Sequence, residues 1–125
     1  MKYAMGMLCA LVAGAASAEQ VLVRADKGHQ CVGDAFSLGD VSGVLFLERA
    51  CELPVSRAAE RHAYVSRSEG AEVRGCWRAL SDGNYSVIDE AGGQQLLNRD
   101  AYAGAETTTS SSSARIVRSP AGACP

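Results

Sequence analysis

The chain has 125 residues with 12 basic and 14 acidic side chains, a formal charge of −2. The arginines are scattered among acids, so there is no basic stripe of the kind nucleic-acid binders carry, and no nucleic-acid partner is expected. At this length one domain with a modest core is expected, and such a core gains from cross-links.

The opening, MKYAMGMLCALVAGAASAEQ, has the layout of a secretory signal peptide. Lys2 is its positive start, Tyr3 to Ala15 its uncharged apolar run, and Ala16-Ser17-Ala18 its small-residue cleavage site. The run is shorter than the roughly 20 apolar residues a spanning helix needs. Residues 1–18 are therefore predicted to be removed, giving a periplasmic or secreted protein with no membrane span. Cleavage leaves 11 basic and 14 acidic side chains, a charge of −3.

Cleavage also removes Cys9 and leaves Cys31, Cys51, Cys76 and Cys124. An even number in an exported chain predicts disulfides. Four cysteines allow three pairings. Cys31–Cys51 is favoured, since it closes a short loop, which leaves Cys76 with Cys124; a free or intermolecular Cys124 stays open. A metal site from His29, Cys31 and Cys51 matches no common zinc spacing. Neither a metal nor a cofactor is expected.

In chain order, Gln20–Arg24 reads as a first strand. A polar stretch, Ala25 to Asp40, follows, and Val44–Leu47 is a short apolar run expected to be a buried strand. Ser56 is expected to cap a helical turn over Arg57 to Glu60. Four strands then form a predicted meander: Arg61–Arg67, Glu72–Leu80, Tyr85–Asp89 and Gln94–Leu97. Their breaks are Glu69-Gly70, Asp82-Gly83 and Ala91-Gly92-Gly93. Taking Glu69-Gly70 as a two-residue loop puts Arg67 opposite Glu72, Tyr64 opposite Gly75 and His62 opposite Trp77. Taking Asp82-Gly83 the same way puts Leu80 opposite Tyr85, Arg78 opposite Val87 and Trp77 opposite Ile88. With side chains alternating, Tyr64, Val73, Trp77, Ala79 and Ile88 form the core face. Val65, Arg67, Glu72, Arg74, Cys76 and Arg78 form the other, with Leu80, Tyr85 and Val87. Asn98 is read as the cap of one turn over Arg99 to Ala103, and the Thr/Ser run from Glu106 to Ser113 as flexible.

The expected fold is mainly β: a small antiparallel meander of about four to six strands, one or two helical turns, disulfides and a flexible C-terminal tail. The expected layout is a signal peptide at 1–18, a β domain at 19–104 and a tail at 105–125.

Catalytic patterns are sparse. His62 is explained by packing on Trp77. His29 has Asp26 and Asp34 nearby, but Gly-x-Ser-x-Gly is absent. Glu48 with Glu52, and Asp82 with Asp89 and Glu90, read as surface and turn residues rather than a glycosidase pair. Tyr85, beside a turn, and Arg67, Arg74 and Arg78, on one face, are the candidate partner surface. No enzymatic activity is expected.

Gly75-Cys76-Trp77, then Asp82-Gly83-Asn84-Tyr85 and the strand ending at Asp89, resembles a pattern in short exported bacterial proteins of unknown function. The resemblance implies a Gram-negative-type setting and no activity. Periplasmic lysozyme inhibitors are similar in being small, disulfide-linked β domains. The expectation is a binding module for a protein or envelope component. Inhibition of a periplasmic hydrolase such as lysozyme, or a structural role in an envelope or phage-related assembly, are the alternatives. The oligomeric state stays open.

Overall fold

A computed structural model describes residues 18–24, 31–108 and 112–120. In chain order the strands are β1 (Ala18–Arg24), β2 (Ala35–Ser37), β3 (Gly43–Ala50), β4 (His62–Ser68), β5 (Ala71–Ala79), β6 (Tyr85–Asp89), β7 (Gln94–Leu97), β8 (Tyr102–Thr108) and β9 (Ser113–Arg118). They form one antiparallel sheet in the order β2-β9-β8-β1-β3-β4-β5-β6-β7. The only helical elements among the described residues are three 3-10 turns, Leu38–Asp40, Ala58–Glu60 and Arg99–Ala101. The fold is mainly β, as expected, with nine strands rather than four to six.

The central strands are apolar on both faces, and each face carries its own core. Val21, Val23, Val44 and Phe46 join Phe36, Leu38, Ala103, Ala105, Ala114 and Ile116 on one face. Leu22 and Leu45 join Tyr64, Trp77, Val87, Leu97 and Tyr102 on the other. A single sheet covers both faces only by curling two ways. At the β7 end, Tyr85 of β6 meets Tyr102 of β8 edge-on at 5.9 Å, across four intervening strands. At the β2 end, the Leu38 carbonyl accepts from Arg67 Nη1 of β4 at 2.9 Å on the opposite face. The sheet is S-shaped in section, with β1 and β3 in the shared middle.

The β4–β5 hairpin has the expected register: Arg67 faces Glu72, Tyr64 faces Gly75 and His62 faces Trp77. Glu69 and Gly70 both take positive φ, 51° and 82°, as a two-residue turn of this kind requires. Gly75 serves the close approach, since a Cβ there would lie 3.1 Å from the Tyr64 ring and 2.9 Å from the Ile88 carbonyl oxygen.

The next hairpin differs from expectation by one residue. Ala79 pairs with Tyr85, Arg78 with Ser86 and Trp77 with Val87. The loop is Ser81-Asp82-Gly83: Gly83 donates to the Leu80 carbonyl at 3.0 Å, and Leu80 donates to that of Asn84 at 2.8 Å. Only Gly83 has positive φ, which makes this a type I turn closed by a glycine bulge. A one-residue slip exchanges the faces of a strand. Tyr85 and Val87 therefore join Trp77 in the core, and Ile88 lies with Cys76 on the other face. The β6–β7 loop repeats the device, with Gly92 at φ 89° and Asp89 Oδ1 accepting from Ala91 and Gly93.

Other expectations are revised at their ends. Arg57, not Ser56, precedes the Ala58–Glu60 turn, and no side chain caps it. Asn98 does cap a turn, accepting from Asp100, but the turn ends at Ala101 because Tyr102 begins β8. The stretch assigned to a tail from 105 onward supplies most of β8 and all of β9. The β-branched Thr107 fits the pleat, is buried, and donates to the Ser113 carbonyl at 2.7 Å. The sheet thus runs through Arg118. The leader up to Ser17 and residues 109–111 and 121–125 of the expected tail lie outside the described residues.

Candidate functional site

The four predicted surface residues separate. Arg67 of β4 and Arg74 of β5 stand on one face because their strands pair with Val65 opposite Arg74 and Arg67 opposite Glu72. Together they border a groove of about 410 Å3. Its floor is apolar: Phe46 of β3, Ala63 and Val65 of β4, and Leu53 of the β3–β4 connector. A register shift between Leu45 and Ala50 interrupts the β3–β4 ladder beside this space, and pairing resumes at Ala50 opposite His62.

The rim is charged. Arg67 pairs with Glu72 at 3.2 Å, and Arg74 with Glu90 at 3.7 Å. Arg49 lies 4.2 Å over the Phe46 ring and grips Glu19 with two hydrogen bonds of 2.7 Å. Those hydrogen bonds, with the Glu19 charge, hold the Arg49 guanidinium above its ordinary pKa against the lowering effect of burial. Arg67 and Arg74 were legible from the β4–β5 register. Arg49 and the floor were not, because they depend on where β3 and its connector lie.

Tyr85 sits on the opposite face. It is half-buried, edge-on to Trp77 at 5.2 Å and to Tyr102. The slip in the hairpin loop moved it there, so it is no part of the Arg67–Arg74 surface. Arg78 shares their face but lies beside Arg61, away from the groove. Arg61 is only 7 % exposed and donates from Nη1 to the carbonyls of Cys76 and Ser86, at 3.3 and 3.0 Å. Desolvation, then the charges of Arg78 and Arg57, hold its pKa below the ordinary value. The buried Nε atoms of Arg61 and Arg78 have no acceptor among the described residues.

The disulfide joins Cys51 to Cys76. The favoured Cys31–Cys51 pair, and with it Cys76–Cys124, is therefore corrected. Cys76 points away from Trp77, toward the face that the β3–β4 connector crosses, and Cys51 opens that connector. The bond fixes one wall of the groove. Cys31 is disulfide-bonded too, and Cys124 lies outside the described residues. Cys51, third ligand of the weighed metal set, is thus committed to sulfur.

The remaining candidates have structural duties or fall outside. His62 leans on Trp77 at 6.1 Å. Asp82 and Asp89 hold their turns, and Glu48 accepts from the Gln20 backbone. His29 and Asp26 lie outside the described residues. Among the described residues no helix is long and apolar enough to cross a membrane. Compared with known proteins, the chain matches no family model, no curated protein and no solved structure.

Proposed function

We propose that the chain is exported behind residues 1–18 and acts outside the cytoplasm as a non-enzymatic binding module. In this reading the groove bordered by Arg67 and Arg74 receives a protein or envelope component. The observation that carries it is the layout of the groove: an apolar floor of Phe46, Ala63, Val65 and Leu53 inside a rim of arginine–glutamate pairs. An apolar centre with a polar rim that includes arginine is how protein interfaces are commonly arranged. Both charge signs on the rim favour a partner that also carries both. The disulfides are compatible with an oxidising compartment.

The test uses the mature chain with a photo-crosslinking residue at position 74, and a second version with it at Val117, an exposed residue of β9. Position 74 is expected to give a discrete adduct in envelope extract that Arg67→Glu abolishes. Equal adducts from both positions, or an adduct that Arg67→Glu leaves intact, overturn the reading. Mass determination of the exported chain is expected to find Glu19 at its N-terminus.

A further inference from the structure

The other face of the sheet has a concavity of its own. A cavity of about 300 Å3 opens where the β4–β7 curl comes back toward β1 and β8. One side is Arg24 at the end of β1, with Tyr102 as its register partner in β8. The other side is Tyr64 and Ser66 of β4 with Gln95 of β7. Tyr64, Ser66 and Gln95 line this side together, although two strands separate β4 from β7 in the sheet.

Three features point to a ligand. The first is Gly43, which stands in β3 between these walls. A Cβ there would lie 3.6 Å from the Tyr102 hydroxyl and 3.7 Å from Arg24 Cβ, in ordinary contact. Nothing forbids a side chain at this position, so the glycine leaves space rather than relieving a clash. The second is chemistry. Among the described residues the cavity is lined by hydroxyls, an amide and guanidinium, with no carboxylate. Arg24 is exposed and forms no ion pair with a described residue, whereas Arg67, the other arginine at this cavity, is held by Glu72 and the Leu38 carbonyl. The third is the wall itself. Tyr64 and Tyr102 are 4 % and 1 % exposed, so packing fixes both rings at its edge.

We propose that this mouth binds a small hydroxylated carboxylate of the sugar-acid type. Its carboxylate lies on the Arg24 guanidinium, and its hydroxyls exchange hydrogen bonds with Gln95, Ser66 and the tyrosine hydroxyls. The cavity is at the lower end of small-ligand sites, with room for one ring and its substituents. A single guanidinium meets a carboxylate through two parallel bonds, and the dense hydroxyl lining supplies both donors and acceptors for an alcohol-rich ring. The cavity shares Tyr64 and Arg67 with the lining of the groove over Phe46, whereas Arg24, Gly43 and Gln95 line this cavity and not the groove.

The test is calorimetric and NMR titration of the mature chain with D-glucuronate, D-glucose and inorganic phosphate. D-glucuronate is expected to bind and to shift amides around Arg24, Gly43 and Gln95. Arg24→Gln is expected to weaken it about tenfold or more, the loss of a charge-assisted pair. Gly43→Ala, whose methyl projects into the cavity without a clash, is expected to weaken it as well while leaving the unfolding midpoint near that of the parent. Absence of glucuronate shifts overturns the proposal. So does D-glucose binding as tightly, phosphate binding in its place, or glucuronate binding that neither variant alters.

Discussion

The β2–β9–β8 end of the sheet buries mostly small and aliphatic side chains, Ala103, Ala105, Ala114 and Ile116, with the one ring of Phe36 from β2. The β4–β7 end buries rings, with Trp77 and Tyr85 edge to face, Tyr64 beside them and Tyr102 of β8 closing the stack from across the sheet. The two ends also differ in how their strands find each other. At the β7 end every neighbour in the sheet is a neighbour in the chain, joined by a turn of two or three residues. In the other half β1 pairs with β8 and β2 with β9, so distant stretches of chain must meet. Large rings give the local end much buried area per residue. The distant pairings instead depend on close backbone approach, which alanine and glycine permit.

The largest expected effect tests that contrast. Trp77→Ala removes the hub of the aromatic stack and the indole donor that holds the Phe46 carbonyl at 3.0 Å. It should cost about 4 kcal/mol, against about 3 kcal/mol for Ile116→Ala in the other core, both by urea denaturation. A larger loss from Ile116→Ala would reverse the ranking of the two ends.

Next in size is the disulfide. Joint replacement of Cys51 and Cys76 by serine releases a loop of sequence separation 25 and should cost about 3 kcal/mol in the chain-entropy account. Limited proteolysis should then cut first within residues 52–60, with the β1–β8 ladder still protected from amide exchange. Loss of protection in β1 and β8 at the same rate would mean that the two ends are more tightly coupled than their cores imply.

The smallest effect is electrostatic. Burial holds the Tyr64 hydroxyl above its usual pKa of 10.0, and the nearby Asp89 adds to this, against hydrogen bonds from Ser66 and Gln95 and the charge of Arg24. A folded-state value above the unfolded one gives stability that is intact below about pH 10 and lost as pH rises toward the folded value. Denaturation midpoints should therefore fall more steeply above pH 10 in the parent than in Tyr64→Phe. Equal slopes would show that the hydroxyl is less desolvated than its place in the aromatic core requires.

This contrast also decided what was readable in the sequence. β6 and β7 have the bounds expected of them, and the β4–β5 register follows from Glu69-Gly70, because a two-residue turn leaves no freedom. Asp82-Gly83 was ambiguous. The same dipeptide serves a two-residue turn or the end of a three-residue bulged loop, and the choice moved Tyr85, Val87 and Ile88 to opposite faces. β8 and β9 carry alanine, threonine and serine, whose pattern resembles a polar tail until a partner strand is supplied. The Cys51–Cys76 pair was hidden for a related reason, since it depends on the path of the connector across the back of β5. Of the two sites, the arginines of the outer groove were visible through register alone. The cavity at Gly43 was not, because it is made by a side chain that is missing and by strands far apart in the chain.

The central position of β1 has a consequence for synthesis. A strand that leaves the ribosome or a translocation pore first waits for β8, residues 102–108, before its second edge is covered. The β4–β7 meander has all its partners within a few residues and is free to zip up earlier. Completion of the sheet therefore falls to the last-emerging strands, and the chain stays threadable until they arrive.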